Sequence, residues 1–80
     1  MDATLDETIR FCGQNKVLMT MTYNGVERLV EVYSYRSRST GTVLYAYCYK
    51  DQKIESFRTD RIEHAKATKK IFQPRYPVEF

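Results

Sequence analysis

Val17, Met19, Met21 and Tyr23 recur at every second position, with Leu18, Thr20 and Thr22 between them. A two-residue period marks a half-buried strand, because successive side chains of an extended chain leave opposite faces. The first predicted strand therefore runs from Lys16 to Tyr23. Asn24-Gly25 follows it, and this dipeptide supplies the two positive-φ positions that a type I′ turn requires. A second strand, Val26 to about Tyr35, should fold back on the first. Thr42 to Tyr49 alternates again, with Val43, Tyr45, Tyr47 and Tyr49 on one face and Leu44, Ala46 and Cys48 on the other. The small and aliphatic set is assigned to the core. Lys50-Asp51-Gln52-Lys53 turns the chain into a fourth strand, Ile54 to Arg58, and a short turn at Asp60-Arg61 leads into a fifth from Ile62 to about Thr68.

Only the beginning of the chain reads as helix. Thr4-Leu5-Asp6-Glu7 has the form of a capping box with acids at the positive helix end, and Leu5, Ile9 and Cys12 follow at helical spacing. The predicted helix is Thr4 to Cys12, with Gly13 as its left-handed stop. Arg36-Ser37-Arg38-Ser39-Thr40-Gly41 reads as a flexible polar connection and a candidate binding loop. Phe72 to Phe80, with Pro74 and Pro77, reads as an extended tail. Five short strands are too few for a sandwich, so the expected fold is mainly β, a small partly open barrel with a short N-terminal helix plugging one end. Eighty residues make one domain. Within it, residues 4–12 are helix, 16–71 barrel and 72–80 tail.

Size and composition narrow the function. A chain this short leaves little room for an enclosed active site, so a non-enzymatic binding module is expected. Thirteen Lys and Arg against ten Asp and Glu give a net charge of +3. The cations concentrate in the second half, from Arg36 to Arg75, which suits a polyanionic partner. Cys12 and Cys48 have no second Cys or His at metal-ligand spacing, so no metal or cofactor is expected, and they read as small apolar residues in a reducing, cytoplasmic setting. No apolar run is long enough to span a membrane. His64, the single histidine, has no nucleophile or acid at a spacing that implies catalysis.

Three groups of residues carry candidate chemistry. Arg58 and Arg61 bracket Asp60 and can present planar donor forks to a phosphate, while the competing reading has Asp60 or Glu31 pinning one of them as a structural pair. Tyr33, Tyr35, Tyr45, Tyr47 and Tyr49 can form a stacking platform for bases or simply a half-buried sheet face. Arg36 and Arg38 can track a phosphate backbone or remain a solvated loop.

Arg28-Leu29-Val30-Glu31-Val32-Tyr33, Leu44-Tyr45-Ala46-Tyr47 and Phe57-Arg58-Thr59-Asp60-Arg61-Ile62, taken together, resemble the WYL domain family. The resemblance covers roughly Lys16 to Phe80, with Thr42-Val43-Leu44 where Trp-Tyr-Leu is usual and Val32 where a proline is usual. It implies an SH3-like or Sm-like barrel and a place in transcriptional or defence regulation. It also implies that Arg58 and Arg61 hold nucleic acid or nucleotide ligands. The usual helix-turn-helix companion is not expected within these residues, since one short helix cannot make that motif. The combined expectation is a module that binds single-stranded nucleic acid or a nucleotide-like anion through Arg58, Arg61, Tyr33, Tyr45, Tyr47, Arg36 and Arg38. The alternative is a protein-interaction module, engaging a partner regulator or a second copy as a homodimer through an edge strand and the 72–80 tail.

Overall fold

The computed structural model describes residues 4–39 and 41–80. Helix α1 (Leu5–Asn15) is followed by strands β1 (Val17–Tyr23), β2 (Val26–Arg38), β3 (Gly41–Cys48) and β4 (Lys53–Arg58), a single 3-10 turn (Thr59–Arg61), and β5 (Ile62–Ile71). All neighbouring strands are antiparallel, in the order β4-β3-β2-β1-β5. The mainly β architecture with one short helix is as expected, and the sheet is not closed.

The sheet nevertheless curls hard. β1 and β4 are three places apart in that order, which would separate them by roughly 14 Å if the sheet were flat. Instead the Tyr23 and Phe57 rings meet edge to face with centroids 5.0 Å apart, and the Arg58 amide donates to the Tyr23 hydroxyl at 3.3 Å. Inside the curl lie Met19, Met21, Val30, Val32, Leu44, Ala46, Cys48, Phe57 and Ile62, with Ile9 and Cys12 of α1 above them. Leu44, Ala46 and Cys48 therefore occupy the face assigned to them, and both cysteines are buried free thiols. Burial alone pushes the Cys12 thiol up to about 11.

Turn chemistry sets the strand pairing. Asn24 and Gly25 have φ of 51° and 79°, and Tyr23 pairs with Val26 across them, as the type I′ turn demands. Thr4 caps the helix, its hydroxyl accepting from the Glu7 amide at 3.1 Å and donating to the Glu7 carboxylate at 3.0 Å.

Four local expectations need correction. The helix does not stop at Gly13; it continues to Asn15, and Lys16 takes the left-handed position at φ 55°. Gly13 is instead a contact residue. A Cβ built there would lie 2.4 Å from the Phe80 ring, so the missing side chain makes space for an aromatic group. Arg36, Ser37 and Arg38 are not loop residues; they continue β2 and pair with Val43, Thr42 and Gly41, while Thr40 of the expected loop lies outside the described residues. Strand pairing overrides polarity there, because an exposed face tolerates Arg and Ser as readily as Val.

The third correction concerns parity. A register shift between Val32 and Ser34 inserts an extra residue in β2, so Tyr33 and Tyr35 leave opposite faces. Tyr35 joins the inner core while Tyr33 joins Tyr47 and Tyr49 outside it. Finally, the 72–80 tail is not free. β2 outruns β1 beyond Val32, and the tail fills the vacated side: the Glu79 amide donates to the Tyr33 carbonyl at 2.8 Å, and Ser34 bridges Glu79 in parallel. Phe72 is buried with Leu18, Tyr33 and Val78, and the Phe80 ring stacks on Tyr35 at 6.5 Å. This segment is a strap across its own sheet, with Phe72 buried and Tyr76 half exposed.

Candidate anion-binding face

Residues paired across antiparallel strands share a face. The register thus places Glu31 with Tyr47 and Ile54, Ser34 with Tyr45 and Ser56, and Arg36 with Val43 and Arg58, in successive rows on the outer side of β2, β3 and β4. Arg38 extends the series beside Gly41. Six of the seven sequence-predicted site residues, Tyr33, Arg36, Arg38, Tyr45, Tyr47 and Arg58, consequently share one face. The seventh, Arg61, sits exposed in the 3-10 turn just past β4.

The strap divides this face in two. Under it, Glu31 is almost fully buried, with 2% of its side chain exposed. An isolated buried carboxylate would be very costly, and here it is surrounded by donors. The Tyr33 and Tyr49 hydroxyls both donate to it, and Arg75 Nε reaches its two oxygens at 3.2 and 3.3 Å. The Tyr33 hydroxyl in turn accepts from the Arg75 amide at 2.9 Å. Burial, reinforced by the Glu31 hydrogen bond, pushes Tyr33 up to about 12; burial followed by the same carboxylate raises Tyr49. The Arg75 guanidinium lies over the Tyr47 ring at 4.3 Å. Tyr33 meets Phe72 and Tyr76 edge to face and is only 4% exposed, so it packs rather than offering a stacking surface.

Beyond the strap the face is open. Arg38 Nη2 donates to the Tyr45 hydroxyl at 2.9 Å, and its guanidinium also lies 5.9 Å from that ring centre. Arg36 bonds Ser34 and pairs with Glu79 of the strap at 2.6 Å, which holds the Glu79 carboxyl below the usual range. Arg58 pairs with Asp60 at 2.8 Å, with about half of each side chain exposed, so the turn-pinning reading of Asp60 is correct for this arginine. Glu31, the other acid considered, is held by Arg75. Beside Arg58 lies a hollow of about 250 Å³ lined by Gly41, Thr42, Val43, Arg58, Thr59 and Asp60. The Thr59 hydroxyl anchors it by donating to the Thr42 carbonyl at 3.1 Å.

With that geometry in view, the known proteins add one likeness. No family model matches the chain, and no curated protein matches it. Among solved structures, proteasome accessory factor B/C (PafBC) of Arthrobacter aurescens is similar in fold, with a TM-score of 0.77 at 16% identity over 98% of this chain. The chain spans 15% of the length of that protein.

Glu31, Tyr49 and Arg75 form a cluster on this face that sequence reasoning did not single out together. Pairing of β2 with β3 sets Tyr49 beside Glu31, 18 positions away, and only the strap's return brings Arg75, 44 positions from Glu31, into contact. A buried acid at an alternating strand position was the sole available signal.

Two other features are not matched to an anion. Cys48, Asp51 and Glu55 offer ligand atoms within 4.8 Å of one another, but Arg28 Nη1 stands among them, 3.0 Å from Asp51 and 3.6 Å from the Cys48 sulfur. The cation of that cluster is the arginine. The larger groove, about 1200 Å³ between α1, β1 and β5, mixes Glu7, Glu27 and Glu63 with Arg10, His64 and Lys66. No helix among the described residues is long and apolar enough to cross a membrane.

Proposed function

We propose that the protein is a non-enzymatic regulatory module that binds single-stranded nucleic acid or a nucleotide-like anion on the open part of the β2-β3-β4 face. The observation that carries this reading is the convergence of Arg36, Arg38 and Arg58 with Tyr45 on one exposed surface, beside the Arg58 hollow. Phosphate capture by guanidinium groups next to a stacking ring is the recognition chemistry of single strands, in which every base offers a π-face. The resemblance of Phe57 to Ile62 to the WYL element, and the fold shared with a part of PafBC, support a regulatory role.

Fluorescence anisotropy of labelled single-stranded DNA and RNA, at low and physiological salt, tests the reading. Saturable binding that weakens with salt is expected, with Arg38→Ala/Arg58→Ala lowering affinity at least tenfold and reducing the salt slope by about two. Both side chains are exposed, so the variant should keep the native circular dichroism. Absence of binding by the folded wild type at low salt would refute the proposal and leave a protein partner as the candidate.

A further inference from the structure

We infer that Arg75, carried by the strap, is a second arginine-tyrosine contact of the same anion-binding face, held in a fixed orientation by the buried Glu31. This inference rests on the proposed function and names a residue outside the exposed strand arginines.

Tyr45 and Tyr47 are alternate residues of β3, so their side chains leave the same face about 7 Å apart. Each carries a guanidinium: Arg38 at Tyr45 and Arg75 at Tyr47. The two pairs have different supports. Among the described residues, Arg38 is held by Tyr45, through its hydroxyl and its ring. Arg75 is held from beneath, because both of its contacts with Glu31 run through Nε while its plane lies against Tyr47. A guanidinium fixed through Nε keeps its Nη1/Nη2 edge for a second, end-on partner, and a planar fork fits a phosphate with two parallel donors.

Depth sets the sign of the field. Glu31 has 2% of its side chain exposed, whereas Arg75 has 47%. The carboxylate lies below, with its charge shared among two tyrosine hydroxyls and Nε, and the guanidinium lies above, so the pair presents its positive end outward. The same guanidinium lies 5.7 Å from the Tyr49 ring centre, so two tyrosine rings frame it. Fixing the side chain in advance also removes much of the rotamer entropy that a free arginine loses on contact.

The test uses a fluorescein-labelled single-stranded oligonucleotide and the variant Glu31→Gln/Arg75→Gln, which removes both charges together and so leaves no unpaired buried carboxylate. Relative to wild type, affinity should fall about tenfold and the salt slope should drop by about one. In wild-type protein, the Arg75 guanidinium resonances, identified by their loss in the variant, should shift as oligonucleotide is added. Unchanged affinity in the folded variant overturns the inference while leaving the proposed function standing. A wild type that binds no oligonucleotide overturns the proposed function and this inference with it. Should the variant fail to fold, Arg75→Lys supplies the assignment, and a wild-type Arg75 signal that stays fixed through saturation is the refuting result.

Discussion

Replacing Gly13 by Ala should reverse its effect on stability according to what stands at position 80. In the wild type a Cβ at residue 13 would fall 2.4 Å from two Phe80 ring carbons and 2.6 Å from a third, far inside contact distance, so the ring must leave its slot. Phe80 is half-buried and stacks on Tyr35. Full truncation of a core Phe costs about 3–5 kcal/mol, and a half-buried one should therefore contribute about 2 kcal/mol. Against this, Gly13 lies inside α1, where Ala is favoured over Gly by about 1 kcal/mol. The net expectation is that Gly13→Ala destabilises by about 1 kcal/mol, a fall of about 4–8 °C in Tm for a domain of this size. In a Phe80→Ala background the clash is gone and only the helix gain remains, so the same substitution should stabilise by about 1 kcal/mol. The coupling between the two sites is then about 2 kcal/mol, read from a double-mutant cycle of urea unfolding. If Gly13→Ala destabilises by the same amount in both backgrounds, Gly13 is acting through its backbone, as a left-handed helix stop would, and the account of the slot is wrong.

Removing the buried acid should be far more damaging than removing an exposed one. Glu31→Ala strands two tyrosine hydroxyls and the Arg75 guanidinium, an expected loss of about 2–4 kcal/mol. Asp60→Ala, which breaks only the exposed pair with Arg58, should leave the urea midpoint unmoved within error; comparable losses in the two variants would refute this ranking. At high pH, Tyr33 should drive unfolding. Its folded hydroxyl ionises at about 12 against 10 in the unfolded chain, so above pH 10 the unfolded state holds fewer protons and stability falls until about pH 12, by on the order of 2–3 kcal/mol. Tyr35 and Tyr49, also raised by burial, act in the same direction. Urea-unfolding stability that stays flat between pH 10 and pH 12 would contradict this assignment.

The sequence by itself determined what short-range chemistry controls. The alternation from Val17 to Tyr23, the Asn24-Gly25 turn, the Thr4 cap and the inward set Leu44, Ala46 and Cys48 are each fixed by the period of an extended chain or by positive-φ and capping preferences of neighbouring residues. Tyr45 and Tyr47 could be placed on one face for the same reason, whereas Arg36 and Arg38, read as loop, join that face only because β2 continues through them. Tertiary structure alone decided where that pattern breaks. The bulge at Tyr33 reverses parity and sends Tyr35 inward, which no two-residue count can reveal, because an inserted residue leaves the local composition unchanged. Gly13 reads as a stop until Phe80, 67 positions away, is found against it. Arg75 likewise joins Glu31, Tyr33 and Tyr49 because β2 extends past β1 and leaves an edge for the strap. Such contacts depend on which strand outruns which, and that is a property of the assembled sheet rather than of any segment of the chain.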